Sequence, residues 1–307
     1  MSNQPPADIL ADHQPYLEQI ERLVQASQSQ ADQWPAHLSD PNRILIAAMT
    51  LRKELFKLSS AELQGNHSDD QFLDLWAQSV ISWIGPEKTL SPIHDFWNIF
   101  ADWMLGLKLK RLIKYISAEN ITWSLAEINI DDLSLFWMNS LEAYPEVVGP
   151  RPWKIGRLRQ QLADHPQILD QLREVQLPYH QAFARRTQDP ILVLEAEEDV
   201  DLEANLGRDR YRLPDGNGRV FDQLLYGDTP TLTAWVGHLE GQRPRNFWVS
   251  TGSLRVLAES YYEAEDETVR QASLTLLRDL FRQSSVARIN FELRCASRHP
   301  ALWDLLK

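Results

Sequence analysis

Four cations crowd around one indole in the segment RPWKIGRLR, where Arg151, Lys154, Arg157 and Arg159 flank Trp153. Guanidinium and ammonium groups bind phosphate or carboxylate, and an indole face stacks on a base or holds a cation. The chemistry on offer is anion capture, and the competing reading is a solvated connector that Trp153 anchors to the core. A second basic and aromatic group, Arg208, Arg210, Tyr211 and Arg212, suits a protein contact, because Arg, Tyr and Trp dominate binding energy at interfaces. Between the two groups runs an acidic stretch, Glu195, Glu197, Glu198, Asp199, Asp201 and Glu203. Carboxylates hold Mg²⁺ or Ca²⁺, but this stretch lacks the glycine and the oxygen-ligand order of a calcium loop. A solvated acidic loop is therefore expected, with no metal and no cofactor.

Arg294 and His299 are spaced R-x4-H, and Arg159 and His165 are spaced R-x5-H. Such spacing resembles the Arg/His motif of HEPN-type helical ribonucleases, which implies an Arg/His pair beside a scissile phosphate. The chain departs from that pattern in two ways: Arg294 is expected on a strand end, and no polar residue of the usual kind follows it. With 23 arginines and eight histidines, about two such spacings arise by chance, so they assign no family. His165, Arg294 and His299 stand as the catalytic candidates. The other histidines are dispersed, and only His94 with Asp95 and His238 with Glu240 have acidic neighbours worth noting. Cys295 is a nucleophile only if a histidine lies beside it in space. Motifs of the forms G-x-S-x-G, G-x-x-x-x-G-K, G-x-G-x-x-G and H-E-x-x-H are absent.

Six of the eleven tryptophans, Trp76, Trp83, Trp97, Trp103, Trp123 and Trp137, fall within one stretch that reads mostly as helix. Phe96, Phe100, Trp103 and Leu107 follow helical spacing, and Trp97, Ile99 and Met104 widen the apolar face. A helix apolar on most sides is a buried one. Core packing is thus expected, ahead of a partner groove or an enclosed aromatic cavity lined by Trp76, Trp83, Trp97 and Trp103.

The frame that positions these groups is long enough, at 307 residues, for about two domains. A net charge of −12, spread as −6 on either side of residue 188, disfavours general binding to nucleic acid, which needs clustered cations. The single cysteine excludes an internal disulfide and a thiolate zinc site, and it suits a reducing cytosol. The start MSNQPPADIL lacks the basic and apolar regions of a secretory signal, and no run of about 18 apolar residues offers a membrane span.

Helices are expected at 16–30, at 42–58 behind the Asp40-Pro41 start signal, and at 68–84 before Gly85-Pro86. Further ones are expected at 92–117, from Asp131 or Asp132 to Glu142, and after the connector 145–156, including 166–175 and 178–186. Beyond Asp189-Pro190 the pattern changes. Strands are expected at 191–195, 211–213, 220–225, 231–236, 246–250 and 286–294, with PDGNG as the turn of a hairpin between the second and third. Helices at 253–264 and 266–283 interrupt them. The expected architecture is a mainly α, bundle-like N-terminal domain over residues 1–187, followed by a smaller α/β or α+β domain over 188–307.

With no catalytic motif, the expected function is non-catalytic interaction: a cytosolic adaptor, accessory subunit or inhibitor with a protein partner. Its contact residues would be Arg151, Trp153, Lys154, Arg157, Arg210, Tyr211 and Arg212. The alternatives are a nuclease or hydrolase with its site between the domains, and a small-molecule binder in the helical domain.

Overall fold

The structure is a computed structural model that describes residues 35–62, 97, 98, 100, 101, 104, 110–184, 189–195, 211–241 and 245–307. The chain divides into two compact units. One is built on Ile121–Arg243, and the other on the described residues that precede and follow it.

Among the described residues of the flanking unit, a 3₁₀ turn (Ala36–Ser39) leads into helix α1 (Pro41–Glu62). Asp40 Oδ1 accepts the Asn42 N–H at 3.0 Å, so the start signal read from Asp40-Pro41 is a working N-cap. Ile44, Leu45, Ala48 and Leu51 are buried. Residues 97, 98, 100, 101 and 104 are helical, and helix α2 covers Lys110–Ile116. The remainder of the helix expected at 92–117, and those expected at 16–30 and 68–84, lie outside the described residues. Arg43 ties α1 to the end of α2. Its guanidinium donates to the Ile116 carbonyl at 2.9 Å and the Ala118 carbonyl at 2.5 Å, with Asp40 at 3.5 Å. Burial pushes the Arg43 pKa down to about 10.

The inserted unit contains strand β1 (Ile121–Asn129), the short strand β2 (Ser134–Leu135), the one-turn helix α3 (Pro145–Val148) and the short strand β3 (Trp153–Lys154). Helices α4 (Ile155–Ala163) and α5 (Pro166–Ala184) come next, α5 running through Pro178 as one helix where two were expected. Strand β4 (Ile191–Glu195), strand β5 (Tyr211–Asp215), helix α6 (Asn217–Tyr226) and strand β6 (Thr231–Leu239) complete it. Among the described residues, four strands form a mixed sheet in the order β1-β6-β4-β5. β6 runs antiparallel to β1 and parallel to β4. One face of the sheet, with Ile128, Ile191, Val193, Ala234 and Val236, packs into a core with Leu158, Leu162, Leu172, Val220, Phe221 and Leu224 from the helices. The other face buries Ile121, Trp123, Leu192, Leu194 and Trp235.

After the insertion, helices α7 (Thr251–Glu263), α8 (Glu267–Gln283), α9 (Ser285–Arg294) and α10 (Pro300–Leu306) complete the flanking unit. Three carry side-chain caps: Ser250, Asp266 and Ser284 accept the N–H groups of Ser253, Thr268 and Ala287.

The expected fold class needs correction. The stretch expected to be helical through residue 187 contains β1, β2 and β3, and the stretch expected to hold most strands is helical from Thr251 onward. Four local readings change for identifiable reasons. Val220, Phe221, Leu224 and Leu225 are buried at helical spacing, and Gly216, at φ +114°, opens α6 instead of turning a hairpin. Val286, Ala287, Asn290 and Phe291 repeat that spacing behind the Ser284 cap, so 286–294 is α9 and not a strand. Residues 246–250 form no strand and lead to the Ser250 cap. Where a helix was expected from Asp131 or Asp132 to Glu142, single 3₁₀ turns (Ile130–Asp132 and Leu141–Ala143) bracket β2.

Candidate functional site

Residues paired across an antiparallel ladder share a face, and side chains two apart on a strand do as well. Thr122 pairs with His238 and Ser124 with Val236, so Ser124 and His238 stand diagonally on one face. The β4–β6 register, running from Ile191 beside Ala234 to Leu194 beside Gly237, brings Glu195 next to His238. This is the face that carries Ile191, Val193, Ala234 and Val236, and the three polar residues stand where its apolar packing ends. Glu195 closes β4 and His238 is the penultimate residue of β6, so both sit at the carboxyl end of the parallel pair. Ligands of open sheets bind outside that end.

The side chains meet in a chain of two hydrogen bonds. Ser124 Oγ is 2.9 Å from His238 Nε2, and His238 Nδ1 is 2.6 Å from Glu195 Oε2. The carboxylate can only accept, so Nδ1 carries a proton, and in the neutral imidazole Nε2 is then left to accept the serine hydroxyl. That arrangement is the one a serine nucleophile requires: a base within reach of its proton, oriented by a third group. The His238 and Glu195 side chains are 44% and 37% exposed, so water screens their attraction. The carboxylate therefore contributes orientation and tautomer more than electrostatic energy. Ser124 lies within a strand and not on a strand-to-helix elbow, so donors for a developing oxyanion must come from beside β1.

A second His–carboxylate pair joins α5 to α6. His180 Nδ1 is 3.0 Å from Asp222 Oδ2, and its ring stacks on Tyr226 at 4.1 Å. This pair staples two helices, and the Tyr226 hydroxyl stacked against it donates to the Arg173 carbonyl instead. Among the described residues, no group of three His, Cys, Asp or Glu gathers as a metal site would.

None of the catalytic or contact candidates named from sequence belongs to the Ser124 site, which takes only Glu195 from the acidic run and His238 from the dispersed histidines. Trp153 is buried, and its indole donates to the Gly149 carbonyl at 3.0 Å. Arg151 lies between the rings of Trp137 and Trp153, at 5.3 and 5.5 Å, and bonds Glu142. Lys154 and Arg157 are exposed. Arg159 pairs with Asp131 at 3.1 Å, and His165 Nδ1 faces the Gln161 carbonyl at 2.8 Å. Tyr211 is buried in the core, Arg212 is half-buried, and Arg208 and Arg210 lie outside the described residues. Arg294 and His299 belong to the flanking unit, where the His299 ring stacks on Tyr262 at 5.3 Å. Cys295 is buried, and burial raises its pKa to about 11.

His238 was noted in the sequence for its neighbour Glu240, but its carboxylate partner is Glu195. The available signal was alternation in ITWSLAEIN, with Ile121, Trp123 and Leu125 opposite Thr122, Ser124 and Ala126. Among the described residues, no helix is long and apolar enough to cross a membrane. Compared with known proteins, the chain matches no family model, no curated protein and no solved structure.

Proposed function

We propose that the inserted unit is a serine-type acyl hydrolase with Ser124 as nucleophile, His238 as general base and acid, and Glu195 as the group that orients it. The hydrogen-bonded chain Ser124–His238–Glu195 is the single observation that supports this reading. Ser124 Oγ attacks an ester carbonyl while its proton passes to His238 Nε2. The same proton then goes to the leaving alcohol as the acyl–oxygen bond breaks, leaving an acylated serine. Water, deprotonated by His238, returns the serine and releases the acid. The lone buried Cys295 fits a reducing, cytosolic compartment.

The test is covalent labelling. A fluorophosphonate should add one phosphonyl group per chain, mapped to Ser124 by peptide mass. Ser124→Ala should abolish it, and His238→Ala should slow it by roughly 100-fold or more, the range of general-base assistance. Absence of a Ser124 adduct, or a rate indifferent to His238→Ala, would defeat the proposal.

A second reading, docking of a protein partner, draws on Trp137, which is 68% exposed and stacked on Arg151. Exposed Trp and Arg together are what anchors an interface. Arg151, Lys154 and Arg157 would then form its basic rim, with Trp153 as scaffold beneath. Trp137→Ala should abolish capture of that partner without altering Ser124 labelling, and unchanged capture would end this reading.

A further inference from the structure

Each residue of the Ser124–His238–Glu195 chain is preceded in sequence by a residue of one packing cluster on the opposite face of the sheet. Trp123 precedes Ser124, Gly237 precedes His238, and Leu194 precedes Glu195. The ladder pairs Trp123 with Gly237 and Leu194 with Gly237, so all three meet across β1, β6 and β4. Trp123 and Leu194 are each 2% exposed and Ile121 beside them is fully buried. Gly237 has no positive φ to explain it. What it has is no room: a Cβ there would lie 2.7 Å from Leu194 Cδ2, 3.0 Å from Trp123 Cη2 and 3.1 Å from Ile121 Cγ2. Real contacts of a methyl carbon are several tenths of an ångström longer.

We propose that Gly237 is a positioning residue: the Trp123 indole and Leu194 seat on its bare backbone and thereby hold β1 and β4 at the spacing and register that close the Ser124–His238–Glu195 chain. This inference rests on the hydrolase reading for its catalytic meaning, though the packing it invokes does not. The cause runs through the pleat. A side chain and its chain neighbour point to opposite faces, so any shift that relieves crowding at 123, 237 and 194 moves 124, 238 and 195 with it. Ser124 and His238 lie diagonally at 2.9 Å, and little displacement takes them out of hydrogen-bond range. Catalytic geometry is that sensitive: a shift of about 1 Å can cost on the order of 100-fold in rate.

The experiment compares wild type, Gly237→Ala, Trp123→Phe and the double variant. Two readouts are used: the fluorophosphonate labelling rate at Ser124, and the hydrogen-bonded His238 Nδ1–H proton in the ¹⁵N-edited NMR spectrum. Gly237→Ala should slow labelling roughly 10- to 100-fold and remove the Nδ1–H signal while circular dichroism stays native. Trp123→Phe takes away the far edge of the indole and should also slow labelling, without overpacking. Joining the two places a methyl group where the indole edge was, and should recover both readouts beyond either single variant. Labelling within about twofold of wild type in folded Gly237→Ala would overturn the proposal. If Gly237→Ala does not fold, unchanged labelling in Trp123→Phe overturns it instead. If wild type itself is not labelled, the hydrolase reading fails on its own. The positioning role then stands or falls on whether the His238 signal is lost in these variants.

Discussion

Replacing Trp97 with alanine is the sharpest test of whether the tryptophans are structural. Trp97 has no exposed surface, its indole donates to the Leu38 carbonyl at 3.1 Å, and its ring meets Phe100 edge-on at 5.6 Å. Truncating a buried aromatic residue costs about 3–5 kcal/mol through lost burial and the cavity left behind. The orphaned Leu38 carbonyl adds about 1 kcal/mol. The aromatic pair is already within the first figure, so the sum is about 4–6 kcal/mol, against a typical total stability of about 5–15 kcal/mol. Trp97→Ala should therefore lose about 4–6 kcal/mol, a large share of the total and enough to unfold the chain at the low end of that range. Trp97→Phe keeps most of the ring and loses the N–H, and should cost about 1–2 kcal/mol. Urea titration followed by far-ultraviolet circular dichroism reads both, with the slope checked for constancy. A loss below about 1 kcal/mol in Trp97→Ala would refute the reasoning, because a substitution at a buried aromatic cannot be that mild. The indole would then line a surface or an accommodating cavity.

Cys295 gives a pH-dependent prediction. Its folded pKa stands near 11 against an ordinary 9.0, so above pH 9 the unfolded chain releases the thiol proton while the folded chain keeps it. Stability is thus unaffected below pH 9 and falls as pH rises toward 11, by up to about 1.4 kcal/mol per unit. Arg43 works in the opposite sense above pH 10, where its folded form begins to lose a proton that the unfolded form retains. The window from pH 9 to 10 is therefore the diagnostic one. The stability difference between wild type and Cys295→Ala should shift there, and a flat difference would contradict the burial. Gly216→Ala should cost about 1–2 kcal/mol for the left-handed backbone alone, at φ +114°, and more because a Cβ would lie 2.6 Å from Ile191 Cγ2. Thermal unfolding measures it, and an unchanged midpoint would mean that the turn into α6 is not built as described.

Where the fold was legible in the sequence, local chemistry and periodicity agreed. Asp40-Pro41 starts α1, the apolar run ILVLE is β4, and Ser253–Ala264 and Asp266–Gln283 closely anticipate α7 and α8. Where it was not, two periods fitted the same few residues. In Val286–Arg294, alternation and helical spacing both select Ala287 and Phe291, and the Ser284 hydroxyl decides for helix by satisfying an N–H that a strand would not leave open. PDGNG reads as a hairpin turn because glycine permits positive φ in a turn and at a helix entry alike. The Ser124 site was illegible for a different reason. Its residues lie 71 and 43 positions apart along the chain, on strands whose neighbour relations no local pattern encodes. The acidic run did contain Glu195, but nothing in it distinguished that carboxylate from the others.

The insertion of Ile121–Arg243 within the helical unit also sets a timetable for synthesis. The hydroxyl of Thr251 reaches Asn98 at 2.8 Å, and the Arg245 N–H bonds the Asn120 side chain at 2.8 Å, so the early and late parts of that unit complete each other. The ribosome makes the 123 intervening residues first. At about 5–20 residues per second, that leaves the early segment waiting for roughly 6–25 seconds with its apolar residues unmatched. The inserted sheet can close in that interval, because β1 and β6, the first and last of its described strands, pair along their whole length. Nascent-chain proteolysis should then find the middle of the protein protected before its beginning.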